Sequence, residues 1–443
     1  MGGTNMKIGK PARLISMLII LVILITGCTG QKLQDNTGDG GSSAGPVTDP
    51  ADTAGDDDAG EETPDPAQGT TGPGEQTAGE GGSGDPAGEE SAGDEADNAG
   101  EGGEERVKVR ALYLTGWTVG NSQKVEHYVE LANTTEINAY VVDIKDDDGY
   151  VGYESQVPEV RENNTWKKKY NPEKVLKEFH DNGIYVIGRL VVFKDPVYSA
   201  KRPDLAIKHV NGGLWKDNDG ITWLNPYQKE TWDYTISIAK EAVALGFDEI
   251  QFDYVRYPGG GKTTMDFSAY DKTKYEAINE FLAYAKQHIT EVPISADVFG
   301  IILESPNDTE NIGQYLELIG RDIDYISPMV YPSHYALGQI VNNVKFDIPD
   351  LKPYEVVYNS LVKCRNRLAQ VEGYNAKVRP YLQDFTATWL KDRKTGKKHY
   401  QEYGPEQVRQ QIQAVYDAGY EEWILWDARN TYSEEALLPE ETE

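Results

Sequence analysis

An α/β fold, a (β/α)₈ TIM barrel preceded by a disordered acidic linker, is predicted by three features of the 443-residue sequence. A helix-to-strand rhythm runs through everything after residue 106. The ionisable side chains gather at the ends of the strand-like runs. The stretch ahead of the rhythm is too polar to fold.

The chain opens with Lys7, Lys10 and Arg13 ahead of an apolar run from Leu14 to Ile25, which ends in Ile25-Thr26-Gly27-Cys28. A basic start, a short apolar run and small residues before a cysteine make an export signal rather than a spanning helix. The segment resembles the lipobox of bacterial lipoproteins, so residues 1–28 are expected to be a lipoprotein signal peptide, with Cys28 as the lipidated N-terminus. That implies a membrane partner, through the lipid anchor, and an extracellular location at the outer face of the cell membrane. Residues 29–105 are expected to be a disordered linker. Residues 31–105 hold 21 acidic side chains and one Lys, with too little apolar surface to offset the entropy of folding. Of the total charge of −30, this linker supplies −20 and the leader +3, which leaves −13 for residues 106–443. An acidic domain is a poor match to nucleic acid. Cys364, in a helical stretch without a partner cysteine, reads as a packed core residue.

Residues 106–443 then repeat one unit. In HDNGIYVIGRLVVF, ALGFDEIQFDYVRYP, LIGRDIDYISPMVYP and DAGYEEWILWDAR, a helix stops at a glycine and a β-rich run follows within a few residues. Gly183, Gly246, Gly320 and Gly419 are the four stops, each expected in the left-handed conformation. Further strands are read at 107–116, 137–146, 292–300 and 377–385. Between the strands lie amphipathic stripes such as Tyr275, Ile278, Leu282, Ala285 and Ile289, and Val408, Ile412 and Val415. Eight strands alternate with seven or eight helices, and no strand–strand hairpin signal interrupts them. Such alternation means parallel strands with right-handed crossovers, and eight units close a barrel.

In a barrel of this kind, chemistry sits at the C-terminal strand ends. Those ends carry Asp143 and Lys145 with Asp146–Asp148 (strand two), Arg189 and Lys194 (three), and Asp253, Arg256 and Tyr257 (four). Asp297 (five), Tyr331 and His334 (six), Gln383 and Asp384 (seven), and Trp426, Asp427 and Arg429 (eight) complete the rim. Trp117 and Trp223 lie in the adjoining loops. Tyr (28) and Trp (8) taken together far outnumber Phe (9), a bias toward rings with a polar handle. Flat rings beside carboxylates suit a sugar, whose C–H faces stack while its hydroxyls bond to acids.

Other chemistries fit less well. GGGKT at 259–263 has Arg256 where a phosphate loop needs Gly and reads as a flexible loop. The six His form no H-E-x-x-H pattern, and no G-x-S-x-G is present. Asp146–Asp148 read as a solvated turn, with an Asp-rich Ca²⁺ site as the alternative, so neither metal nor cofactor is expected. A carboxylate pair remains, as glycoside hydrolysis requires. Asp253 is the first candidate, with Arg256 expected to hold it ionised; Asp297, Asp384 and Asp427 are candidates for the second. Trp117, Asp143, Lys145, Arg189, Trp223, Arg256, Tyr257, Tyr331, His334 and Trp426 are expected to line the substrate site.

RALYLTGW (110–117), NAYVVDIKDDDG (138–149), GRLVVFKDP (188–196), WLNPY (223–227), FDEIQFDYVRYP (247–258), SADVFG (295–300) and SPMVYPSHY (327–335) together resemble a bacterial family of glycosyl hydrolase domains, formerly a domain of unknown function and often found in lipoproteins. The resemblance spans roughly residues 107–435. It implies a glycosidase-type barrel, an extracellular or cell-envelope polysaccharide or oligosaccharide as partner, and Asp253 as the acid after strand four. The alternative is a glycan-binding envelope scaffold on the same barrel, without turnover.

Overall fold

The computed structural model describes residues 106–259 and 264–439. The leader with Cys28, the acidic linker and residues 260–263 of the GGGKT stretch lie outside the described residues. Eight parallel strands form the barrel: β1 (Arg110–Leu114), β2 (Ala139–Lys145), β3 (Tyr185–Val191), β4 (Glu249–Asp253), β5 (Ile294–Phe299), β6 (Tyr325–Met329), β7 (Tyr381–Gln383) and β8 (Trp423–Trp426). Closure is direct. Arg110 and Leu112 of β1 pair with Trp423 and Leu425 of β8, while β5 and β6 pair from Ser295 against Tyr325 to Phe299 against Met329.

The crossovers are α1 (Ser122–Thr134), α2 (Pro172–His180), α3 (Lys229–Leu245), α4 (Lys274–His288), the single turn α5 (Leu316–Ile319), α6 (Pro353–Leu368) and α7 (Pro405–Asp417). Their starts follow from local chemistry. Thr273 and Glu276 form a reciprocal capping box at α4. Asn171 accepts from the Lys174 N–H ahead of Pro172 at α2. The stripes read from the sequence face inward: Ile278, Leu282, Ala285, Val408, Ile412 and Val415 are all buried.

Every residue of β2 is buried, because its outer face lies under helices and its inner face fills the barrel. Tyr113, Val141, Ile187, Tyr381 and Ile424 make the interior layer, whereas Leu112, Val142 and Leu190 pack outward. Gly188 passes beneath the outer layer only because it lacks a side chain: a Cβ there would stand 2.4 Å from Ile144 Cδ1.

Three expectations require correction. Gly183, Gly246 and Gly419 take positive φ as helix stops, but Gly320 has φ −96°. Space rather than handedness selects it, since a Cβ would meet the Tyr374 hydroxyl at 2.4 Å. A hairpin is present after all. Ile340–Val341 pairs antiparallel with Val344–Lys345, and Asn342 and Asn343 both adopt positive φ (49° and 67°), as a two-residue turn that follows strand twist requires. The seventh strand is also broken. Lys377–Val378 pairs with β6, and Tyr381–Gln383 pairs chiefly with β8, the break falling at Pro380, which has no N–H to give the ladder.

Candidate active site

Asp253 ends β4 at the C-terminal mouth of the barrel. Immediately after it, Tyr254 holds φ +49°, a left-handed backbone that costs a bulky residue about 1–3 kcal/mol. The turn aims the Tyr254 N–H back at Asp253 Oδ1, 2.6 Å away. On the other oxygen, Arg189 of β3 donates from Nε (2.9 Å) and Nη2 (2.5 Å) to Oδ2. This is a charge-assisted pair, and it corrects the expected partner. Arg256 instead donates from Nη1 to the Tyr257 carbonyl and lies against the rings of Trp223, Tyr254 and Phe299. Adjacency in sequence misled because successive strand residues face opposite sides, whereas Arg189 faces inward from the neighbouring strand.

Arg189 organises more than one acid. Its Nη1 donates to Asp143 Oδ1 at 2.8 Å, and its Nη2 to Asp147 Oδ1 at 3.1 Å. Tyr113 donates its hydroxyl to Asp143 Oδ2 at 2.7 Å. Above, Tyr113 and Trp426 stack with centroids 4.0 Å apart, and the guanidinium lies 5.4 Å from each ring. Burial alone would weaken the guanidinium's hold on its proton, but Asp147, Asp253 and Asp143 outweigh it and keep the group firmly cationic. Burial raises the Asp143 carboxyl, against the opposing pull of Arg189 and Tyr113.

Asp297 has the opposite surroundings. The register pairs Phe252 with Ala296, so Asp253 and Asp297 follow one step on, side by side on strands about 4.8 Å apart. Asp297 is 2% exposed, and its Oδ1 has no hydrogen-bond partner. Burial first, and then the neighbouring Asp253 charge, push its carboxyl well above the usual range. Tyr331 completes this corner. Its phenol is raised first by burial and then by Asp297 and Asp253.

The remaining candidates lie apart from this core. Lys145 is buried against Asp195 at 2.7 Å and donates to the Val191 carbonyl at 2.8 Å. Trp223 and Tyr257 are buried, Trp223 giving its indole N–H to Asp217 at 2.9 Å. Trp117 is half exposed beside Lys169. His334 is exposed and packs edge-on to Tyr331. Asp146 and Asp147 are not merely a solvated turn: they pair with Lys169 and Arg189. Tyr113 was missed in the sequence, although the two-residue period of RALYL places it inward with Ala111. Among the described residues, no group of three or more His, Cys, Asp or Glu is arranged to hold a metal.

Asp384 and Asp427 hold the chain after β8. Asp384 accepts from the Ser433 N–H and hydroxyl at 2.8 and 2.7 Å, and Asp427 accepts from the Thr431 N–H at 2.9 Å. Burial pushes Asp384 up to about 6. A carboxyl raised on folding adds stability below its unfolded value, and that contribution is lost as pH climbs through the folded value. Thermal melts of wild type and Asp384→Asn should therefore differ in slope between about pH 4 and 6: the wild type loses stability relative to the variant as pH rises. Parallel profiles would contradict this assignment.

The family described as "Putative glycosyl hydrolase domain" matches residues 111–432. The chain belongs to this family. No curated protein matches the sequence. A hypothetical protein from Ruminiclostridium thermocellum ATCC 27405 is 65% identical over 42% of this chain and 97% of its own, with a TM-score of 0.41. The glycoside hydrolase domain of PgaB (BpsB) from Bordetella bronchiseptica is 12% identical, with a TM-score of 0.52 over 72% of this chain and 94% of its own. At that identity the likeness is one of fold. The spore cortex-lytic enzyme SleL of Bacillus megaterium QM B1551 is 13% identical, covering 74% of this chain and 72% of its own, with a TM-score of 0.42.

Proposed function

We propose that this glycosyl hydrolase domain cleaves glycosidic bonds of a polysaccharide or oligosaccharide, with Asp253 and Asp297 as its carboxylate pair. One observation carries the reading. Two acids on adjacent strands have opposite surroundings: Asp253 bonded by a guanidinium, Asp297 buried without a partner at Oδ1. The carboxyl that burial keeps protonated, Asp297, is the one suited to be the acid. Asp297 gives its proton to the leaving oxygen as the C–O bond breaks, and Asp253 meets the charge developing at the anomeric carbon. Water then completes hydrolysis, returning a proton to Asp297. Strands about 4.8 Å apart suit the closer carboxyl spacing, about 5–5.5 Å, of enzymes that retain configuration. Trp426, part-exposed above the buried Tyr113, supplies a ring surface for the sugar. Cys28 and the acidic linker would hold the domain outside the membrane, on a lipid anchor.

A glycan panel incubated with the full-length protein tests this. Release of reducing ends by the wild type, abolished in Asp253→Asn, is the expected result. Cleavage that survives Asp253→Asn would sink the mechanism. Binding without turnover in both proteins would favour a glycan-binding scaffold.

A further inference from the structure

Beyond β7, residues 384–404 make a long loop on the same mouth of the barrel. Its outer part is a small hairpin, with Lys391 bridged antiparallel to Lys398 and Gly396 at φ +70° in the turn. Residues 390–400 contain Lys391, Arg393, Lys394, Lys397 and Lys398 against Asp392 alone, a net +4 from five cations and one acid. This stands out in a domain that carries −13. Asp392, already counted in that +4, is taken up by the turn itself: its Oδ1 accepts from Lys394 N, Thr395 N and Thr395 Oγ1. Residues 391–398 are exposed, and none of the five cations forms an ion pair among the described residues. Like charges crowded on one exposed hairpin repel one another, so the arrangement is relieved by an anionic partner.

The residues before the hairpin indicate which partner. Trp389, 48% exposed, stacks on Phe385 with centroids 5.9 Å apart and an interplanar angle of 25°. Phe385 in turn packs 5.6 Å from Tyr331, the ring beside Asp297. An aromatic path therefore leads from the carboxylate pair to the basic hairpin. A duplex nucleic acid needs the cations but not a shelf of rings leading into a barrel mouth. A sugar chain with charged substituents uses both.

We propose that the 390–400 hairpin and the Trp389–Phe385 shelf form an outlying subsite for an anionic polysaccharide. Its sugar rings stack on Trp389, and its carboxylate or phosphate groups meet Lys391, Arg393, Lys394, Lys397 and Lys398. This deepens the glycoside hydrolase reading by naming the substrate class.

Binding, not turnover, is the test, so the two ideas fail separately. The full chain carrying Asp253→Asn is titrated with polygalacturonate, poly(glycerol phosphate), a neutral β-glucan and duplex DNA. One or both anionic chains should bind at least tenfold more tightly than the neutral glucan, with the preference fading as salt screens the charges; which of the two binds identifies the anionic group. Replacing Lys391, Arg393, Lys394, Lys397 and Lys398 together by Gln should remove that preference, while replacement of the four lysines by Arg keeps it. Trp389→Ala should weaken charged and neutral glycans alike. Equal binding of charged and neutral glycans, retained preference in the Gln variant, or DNA binding as tight as that of the glycans overturns the subsite. So does a full chain that binds only after residues 31–105 are deleted, which would assign the hairpin to the chain's own acidic linker. Circular dichroism on each variant keeps a folding failure from being counted as a binding loss.

Discussion

Arg189→Met should cost about 3–5 kcal/mol of folding stability, the usual penalty for removing one partner of a buried ion network. The side chain is 1% exposed and joins Asp143, Asp147 and Asp253. Methionine fills much of the same volume, so the loss is electrostatic rather than a cavity effect. Asp143 and Asp253 would be left as buried acids facing one another across an apolar stem. With the guanidinium's opposing pull gone, burial raises the Asp143 carboxyl further, so the deficit should be largest at neutral pH and shrink on acidification. Arg189→Lys should recover only part of it, since one ammonium cannot present the fork that reaches three carboxylates. Denaturant unfolding of the three proteins at pH 5 and pH 7.5 decides the point. A variant as stable as the wild type at both values would show that the network does not hold the barrel mouth together.

Asp297→Asn should lower turnover of a natural glycan by about 10²–10⁴-fold, the typical worth of a positioned general acid. The loss should depend on the leaving group. A natural sugar alkoxide needs the Asp297 proton, whereas a nitrophenolate departs without it, so aryl glycosides should be cleaved far less impaired. The pH profile supplies an independent sign. Burial and the Asp253 charge hold Asp297 protonated well above the usual carboxylate range, so wild-type activity falls on the alkaline side as that proton is lost. Asparagine has no such proton, and the alkaline limb should flatten in the variant. An equal loss on both substrate types, with the limb unchanged, would remove Asp297 from the acid role.

The architecture was legible because it rests on local signals. Glycine stops, two-residue alternation in the strands and 3.6-residue stripes in the helices are written within short windows, and they place eight strand ends without tertiary information. The same windows put Asp253, Asp297, Arg189, Asp143 and Trp426 at one mouth of one barrel. They failed where a side chain's neighbour lies far along the chain. Gly320 looks like a helix stop and proves to be a gap for Tyr374. Asp384 and Asp427 read from the sequence as rivals for the second carboxylate, and their bonds to Ser433 and Thr431 could not be read there.

FDYVRYP shows where the division falls. The sequence by itself determined that Asp253 ends a buried strand at the functional rim, since position along the strand and facing are set by backbone periodicity. Only the tertiary structure decided that Arg189, 64 residues earlier, rather than Arg256, three residues later, grips that carboxylate. Only the register of β4 against β5 set Asp297 beside it. Electrostatic partnership depends on distance through space and on burial, and neither is a property of neighbouring letters.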